Sequence, residues 1–343
     1  MIRLSRQLFA RLDEGDVGAV RASLQSAIDL EHATIPPYLY AMYSLVPGTN
    51  DPIAETIESV IVEEMLHLAL ASNVLNALGG EPVLAPPAYP GPLPGAIESG
   101  LVVGLAPFSI DLVGDVFMVI EEPEHPLDFP VGAVGAPMET LTIGAFYRRI
   151  KATIAALGDG VFVTPARHQI GPDRLADAVV VTDVATAGRA IDTIIDQGEG
   201  TSTEPLQVVG QGYAHYYRFG EIFNGRRLVP NPDAGPDTPP DTRYIYGGDP
   251  MPFDPAGVYP VPSNPTASGY PAASGARIAC DTFNYTYTSL LKVLQAALSG
   301  APEKLDAALG LMFSLEQQAK DMMTGYSTAG APTGPSFEHR PVN

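Results

Sequence analysis

The chain has 343 residues, of which 45% are hydrophobic and 17% charged, a composition typical of a globular protein rather than a disordered or fibrous one. Its formal net charge of −20 argues against nucleic acid and anionic membrane surfaces as partners, because both need a positive protein face. Cys280 is the single cysteine, which excludes an intrachain disulfide and a thiolate metal cluster. A bound metal would therefore need oxygen and nitrogen ligands.

The first ten residues contain two arginines but lack the apolar core and the small-residue cleavage site of a secretory signal. The chain contains no run of about 18 apolar residues, so the sequence predicts no membrane-spanning helix. We therefore expect a cytoplasmic protein.

Two long helices are predicted in the first quarter of the chain. Apolar residues recur at helical spacing over about 17–45, and Pro36 and Pro37 predict a kink just after Glu31. A second helix covers about 52–78, with Pro52 in its first turn and two glycines at its end. Because the link between them is only six residues long, the two helices should form an antiparallel hairpin.

The rest of the chain alternates helices with irregular segments. The sequence predicts an insertion over 80–137 with one helix near 108–121, a helix over 138–157, a strand at 178–184 and a helical region over 185–224, read as helices at 185–199 and 207–224. A Pro- and Gly-rich insertion follows at 228–278, and two last helices lie within 281–323. We predict one domain over 1–343, mainly α, with a helix bundle, long irregular insertions and a few short strands.

The second helix carries the clearest chemical motif, Glu64 and His67 at a spacing of three residues. This spacing places both side chains on one helix face, in the Glu-x-x-His arrangement that carboxylate-bridged metal pairs use in bundle cores. Glu64 falls within an apolar stripe, where a charged and unpaired carboxylate is costly unless a cation compensates it. The alternatives are a buried hydrogen-bonded pair, or Glu63 and Glu64 facing solvent.

Glu31 is the matching residue of the first helix. It lies between Ile28 and Ile35 in the apolar stripe, whereas His32 and Asp29 lie to one side and should be less buried. Counted from the centre of the link, Glu31 and Glu64 come at similar heights in the hairpin, so they could share one ion.

The second half of the chain offers a weaker set of ligands. The stripe formed by Ile191, Ile194 and Ile195 continues to Glu199, which would put that carboxylate on the buried side. The alternative is a Glu199 that merely ends a helix before Gly200.

His215 shares a helix face with apolar neighbours, and it is either a metal ligand or a core histidine. Glu221 is turned by about 120° from His215 on a helix, so both could reach one ion only if the helix were distorted. Arg218 could neutralise a neighbouring carboxylate or bind an acidic substrate.

These motifs resemble a known family. The sequence segments that carry the resemblance are EHATIPPYL (31–39), EEMLHL (63–68), NVLNALGG (73–80), DQGEGT (196–201), HYYRFGEI (215–222) and GPSFE (334–338). They are similar to the ferritin-like family that includes the iminophenyl-pyruvate dimer synthase domain of violacein-type bisindole biosynthesis. The resemblance spans about 20–340.

The resemblance implies a ferritin-like four-helix bundle with a dinuclear metal centre and an oxidative role on a small nitrogen-containing metabolite. The ligands that it implies are Glu31, Glu64, His67, Glu199, His215 and Glu221. The resemblance also implies that relatives often have an acidic residue where this chain has Ala145. If that carboxylate belongs to the metal site, the centre expected here is depleted, either mononuclear or without metal.

Three functions remain open from the sequence. The first is an oxidoreductase that uses one or two iron ions, with manganese or zinc as substitutes, on an amino-acid-derived metabolite such as an imine in secondary metabolism. The second is an enzyme that couples imines without a metal by holding two molecules in register. The third is a non-enzymatic metal-binding or storage protein. The expected partner is a small-molecule substrate, a homodimer remains open, and no catalytic residue is assigned beyond the metal ligands.

Overall fold

The computed structural model describes residues 6–94, 101–123, 142–200, 205–207, 212–328 and 330–340, and this part of the chain is mainly helical, as predicted. Its helices are α1 (Arg6–Asp13), α2 (Val17–Tyr43), α3 (Asp51–Ala77), α4 (Ile110–Leu112), α5 (Met118–Glu121), α6 (Ile143–Leu157), α7 (Val184–Gly198), α8 (His215–Asn224), α9 (Gly275–Leu298) and α10 (Leu305–Gly325). Helix α2 packs along α3, α3 along α7, α7 along α6 and α6 along α2, which closes a four-helix bundle.

The α2–α3 hairpin has the boundaries that local sequence signals predict, to within two residues. The Asp16 carboxylate caps α2 by accepting a hydrogen bond from the Ala19 amide at 2.7 Å. Pro52 lies in the first turn of α3, and Gly79 follows the helix with a positive φ of 78°. By length and composition α3 could cross a membrane, but 83% of its apolar window is buried inside the protein, as in the core helix of a soluble domain.

The two prolines of α2, at which a kink was predicted, do not end the helix. Pro37 has no N–H to donate to the Ala33 carbonyl one turn earlier. The Tyr89 hydroxyl donates to that carbonyl at 2.7 Å and so replaces the missing hydrogen bond. Tyr89 of the first insertion therefore satisfies a carbonyl of α2 that Pro37 leaves without its helical donor.

The helix predicted at 108–121 is present but irregular. Helices α4 and α5 flank a π-helical turn, Val113–Phe117, and Glu121 is the last residue of α5. A Cβ at Gly114 would lie 2.5 Å from the Phe223 ring, so this glycine lets α8 pack closely against the π-turn. Residues 95–100 and 124–137 of the predicted insertion lie outside the described residues.

The region predicted as helical over 185–224 consists of two separate helices. Helix α8 begins at His215, not at 207, because Leu206 and Tyr213, which precede it, pair in an isolated β-bridge. The Ala214 amide donates to the Pro205 carbonyl at 3.0 Å and fixes the entry into α8. Residues 208–211 of the predicted helix, and 138–141 of the helix now described from Ile143, lie outside the described part of the chain.

The strand predicted at 178–184 is wrong. Within this segment, backbone groups bond to side-chain amides instead of a neighbouring strand. The Asn73 amide donates to the Val179 carbonyl at 2.9 Å, and the Val181 amide donates to Gln169 at 2.8 Å. This segment thus ties α3 to the start of α7.

The strands of the described chain lie elsewhere. β1 (Arg226–Pro230) and β2 (Tyr244–Pro250) form an antiparallel pair within the second insertion, and β3 (Ser327–Thr328) and β4 (Ala331–Pro332) form a short one after α10. Helices α9 and α10, the pair predicted within 281–323, form a second hairpin outside the bundle, with α9 against α3 and α10 against α2.

Candidate metal centre

The inner faces of α2 and α3 bring together the three residues on which the sequence prediction rests most firmly. Glu31, Glu64 and His67 are each at most 5% exposed. His67 Nδ1 lies 3.7 Å from Glu31 Oε2 and 3.9 Å from Glu64 Oε1. Glu31 and Glu64 therefore lie at similar levels along the hairpin, as their spacing from the link predicts, and both approach the same histidine.

His215 completes this cluster from α8, and Glu121 joins it from α5. His215 Nδ1 lies 2.8 Å from Glu64 Oε1 and 3.4 Å from Glu121 Oε2. Glu121 was not predicted as a site residue, since a carboxylate at the end of a short irregular helix resembles a solvent-facing terminus. The signal that could have found it is the apolar run 116–120 immediately before it.

The two histidine rings are oriented by groups outside the cluster. His67 Nε2 lies 3.0 Å from Gln197 Oε1, and His215 Nε2 lies 3.1 Å from Glu63 Oε2. When Nε2 carries the proton of a neutral imidazole, these contacts leave both Nδ1 lone pairs directed at the carboxylates. Metal-binding histidines are typically held in this way by a hydrogen bond from their second nitrogen.

The inner nitrogen of His215 provides a test of whether the residues fit a metal ion. The ring is fully buried, and its Nδ1 lies close to the Glu64 and Glu121 carboxylates without forming a hydrogen bond of acceptable geometry within the described residues. These carboxylates can compensate a protonated ring, and a bound cation would take the place of that proton between the nitrogen and the carboxylates. Donor atoms of Glu64, His67 and His215 all lie within 4.8 Å of one another. This set can hold a metal ion that accepts oxygen and imidazole ligands.

Each carboxylate of the cluster is anchored by one oxygen and directs the other inward. Tyr147 donates to Glu31 Oε1 at 2.6 Å, and Tyr38 donates to Glu121 Oε1 at 2.5 Å. The Thr34 hydroxyl donates to Glu64 Oε2 at 3.1 Å. The inner oxygens are those that face the histidines, so all three carboxylates present an oxygen to the same space.

The electrostatics of this space favour a cation. Burial, together with the charges of Glu121 and Glu31, raises the pKa of Glu64 to about 8. Burial also opposes ionisation of Glu31, but hydrogen bonding to His67 and its charge outweigh burial and lower the Glu31 pKa. The carboxylates therefore compete for the few positive groups within reach, and a bound cation would relieve their repulsion.

Glu63 stands outside the cluster and stabilises His215 in its orientation. Burial opposes its charge, but the hydrogen bond from His215 and the charges of His215 and Arg218 lower the pKa of Glu63 to about 2. Arg218 forms an ion pair with Glu63 and donates to the Ser59 hydroxyl at 2.8 Å. The sequence left two roles open for Arg218, and this ion pair corresponds to the first, the neutralisation of a neighbouring carboxylate.

Glu199 lies at the edge of the cluster rather than at its centre. It lines the same cavity, of about 30 Å³, but its Oε1 accepts from the Gly144 amide at 2.7 Å at the start of α6. A Cβ at position 144 would lie 2.0 Å from Glu199 Oε2, so this contact requires glycine. The role of Glu199 as a ligand therefore stays a prediction.

Glu221 is not brought to the cluster by its described contacts. Arg227 donates to its Oε2 at 2.6 Å, and the Leu228 amide donates to its Oε1 at 2.9 Å. Both oxygens therefore serve to join α8 to β1, as the angle between Glu221 and His215 on a helix suggests. The expectation that His32 is less buried is wrong, because it is 4% exposed and lies 3.2 Å from the Tyr287 hydroxyl of α9.

Comparison with known proteins places the fold. The structure is similar to the crystal structure of a ferritin-like protein from Caulobacter vibrioides, with a TM-score of 0.63 and 24% sequence identity over 94% of this chain and 97% of that chain. No curated protein matches the sequence significantly. A family model described as ferritin-like matches residues 24–224, more than half of the chain and the part that contains the whole cluster. The chain therefore belongs to the ferritin-like family.

Proposed function

We propose that this protein is a metal-dependent oxidoreductase with a mononuclear non-haem iron centre held by Glu64, His67 and His215. The observation that carries the proposal is the convergence of two imidazole Nδ1 atoms and a carboxylate oxygen, with both Nε2 atoms held from outside. Two histidines and one carboxylate are the donor set of many non-haem iron oxygenases. Manganese and zinc are also compatible with these donors.

Iron bound there would supply one-electron chemistry with dioxygen or peroxide. The chain's own residues would hold the ion, exclude water and manage protons. Glu31 and Glu121 add two inner oxygens that could extend the ligand set or accept a proton, each supported by a tyrosine hydroxyl. We propose one ion because, within the described residues, one set of two histidines and a carboxylate converges and Glu221 bonds elsewhere.

The proposed substrate is a small amino-acid-derived metabolite, such as an imine in secondary metabolism. Support for this class comes from the resemblance to the iminophenyl-pyruvate dimer synthase domain. The cavity at the cluster, of about 30 Å³, has room for an ion and a water-sized molecule. An organic substrate would therefore react at the edge of the centre or after side chains there move.

One experiment tests the metal assignment. Protein loaded anaerobically with Fe(II) and then desalted should retain about one iron per chain, since one donor set converges. His67→Ala and His215→Ala should lose most of this iron, whereas His339→Ala, at an exposed histidine, should retain it. Iron retention by both cluster variants would contradict the assignment.

The small cavity favours a second candidate, a non-enzymatic metal-binding protein. Oxygen uptake by the iron-loaded protein, measured above that of the oxidase alone and with catalase present, distinguishes the two, with α-imino acids generated in situ by an amino-acid oxidase as test substrates. Uptake that depends on both iron and imine supports the oxidoreductase. Coupling of imines that persists in folded His67→Ala protein would instead support metal-independent dimerisation.

We further propose a cytoplasmic protein whose partner is this small molecule, as a monomer or a homodimer. A storage role would need a closed shell of subunits. Light scattering of the purified protein tests this point, because a shell would have a mass many times that of the 36.2 kDa chain.

A further inference from the structure

A second and much larger cavity, of about 220 Å³, lies between the α2–α3 hairpin and the α9–α10 hairpin. Among the described residues its lining shares no member with the cavity at the metal centre. Well-packed interiors contain few voids of this size, and an apolar cavity of about 150 Å³ is already large enough to bind a benzene molecule. The space is therefore large enough for an organic ligand.

The wall of this cavity is almost entirely aliphatic. Leucines contribute from α2, α3, α9 and α10, among them Leu39, Leu68 and Leu291. Two of its polar side chains, His32 and Tyr287, are buried and contact each other at 3.2 Å between Nε2 and the hydroxyl. Because these two groups pair with one another, the interior of the cavity favours an apolar ligand over a polar one.

The mouth of the cavity combines apolar side chains with one charge. Val62 of α3 and Leu309 of α10 line the cavity and are 49% and 55% exposed, so they mark where it meets solvent. Arg174 also lines it, with 37% of its side chain exposed. Its ion pairs are long, 3.5 Å to Asp306 and 3.8 Å to Asp173, and both aspartates are largely exposed. Such pairs contribute little, so Arg174 could turn to another anion.

We propose that this cavity binds a medium-chain fatty acid, with the alkyl chain inside and the carboxylate at Arg174. A methylene fills about the 30 Å³ of a liquid water molecule, so the cavity takes a chain of roughly seven carbons beyond the carboxylate. Octanoate matches this length. The site is independent of the metal centre and of the reaction proposed there.

Isothermal titration of the full-length protein with octanoate tests the proposal. We expect saturable binding of one octanoate per chain. Ala308→Phe, which projects a ring from α10 into the cavity, should weaken binding at least about tenfold, while Ala307→Phe on the exposed face of the same turn should not. If Ala308→Phe does not fold, Ala69→Leu on the α3 wall replaces it.

The head group is tested separately. Arg174→Gln should weaken octanoate binding and leave the binding of 1-octanol unchanged, whereas Arg167→Gln, at a similarly exposed arginine, should alter neither. The proposal is overturned if octanoate does not bind below its solubility limit, if it binds equally well to the folded cavity-filled variant, or if octylammonium binds as tightly as octanoate.

Discussion

Each imidazole of the cluster is held by its outer nitrogen, and the two outer partners differ in charge. His67 contacts the neutral Gln197, whereas His215 contacts the carboxylate of Glu63. A carboxylate partner makes an imidazole a stronger metal ligand than an amide partner does. Glu63 is therefore expected to increase the affinity of the centre for metal without touching the ion.

Glu63→Gln tests this contribution. The amide can still accept from His215 Nε2 but removes the negative charge, so we expect the dissociation constant for Fe(II) to rise by about tenfold. Competition with a chelator of known affinity measures it. Glu55→Gln, an exposed position on the same helix, is the matched control. Equal affinities in the two variants would show that the charge of Glu63 has no part in metal binding.

Gly144→Ala tests the contact that places Glu199. The new methyl group would overlap Glu199 Oε2 at 2.0 Å, so α6 or the carboxylate must move. We expect the free energy of unfolding to fall by about 1–3 kcal/mol, as for overpacking at a tight site. Gly310→Ala, in an open position of α10, should instead be neutral or stabilising. Denaturant unfolding measures both, and equal effects would contradict the close approach.

Helix α2 contacts the outer hairpin in part through a buried polar pair, His32 with Tyr287 of α9. Burial lowers the pKa of His32 to about 4, because the charged imidazolium is disfavoured in this apolar contact. The unfolded chain, with an ordinary histidine pKa of about 6.5, takes up the proton at higher pH than the folded chain does.

The pH dependence of stability follows from this difference. The contribution of neutral His32 to the free energy of unfolding is complete above a pH of about 6.5. It is lost as the pH falls towards 4, by about 3 kcal/mol in total. His32→Gln should therefore show a shallower loss of unfolding free energy between pH 7 and about 4 than the parent protein. Denaturant unfolding across this range is the measurement. Parallel profiles would mean that His32 is not buried as a neutral group.

The elements that sequence reasoning predicted well are those whose signals are local. The boundaries of α2 and α3 depend on Asp16, Pro52 and Gly79, which act on their own helix ends. The strand expected at 178–184 failed because its outcome depends on Asn73 and Gln169, more distant side chains that take its backbone hydrogen bonds. Helix α8 was predicted to begin too early, since Leu206 and Tyr213 instead pair in a β-bridge before it.

At the scale of the whole molecule, the cluster joins four elements that are distant in sequence. Its side chains come from α2, α3, α5 and α8, and each carboxylate accepts a hydrogen bond from a hydroxyl of α2 or α6. Spacing along one hairpin could predict Glu31, Glu64 and His67. It could not predict Glu121, because the position of α5 depends on the packing of a π-turn against α8.

Because metal binding ties these elements together, it should stabilise the whole fold. At a free Fe(II) concentration about a hundred times the dissociation constant, we expect the Tm to rise by on the order of 5 °C. Calorimetry of metal-free and loaded protein measures this shift, with His215→Ala as the control that should not respond. An equal rise in the variant would place the stabilising ion elsewhere.

The most direct test of the metal centre is an anomalous difference map, recorded at the iron edge, from crystals of the iron-loaded protein. The expected result is one strong peak within bonding distance of Glu64, His67 and His215, with Glu221 outside its coordination sphere. A map without a peak at this position, from crystals whose iron content is confirmed by analysis, would contradict the assignment.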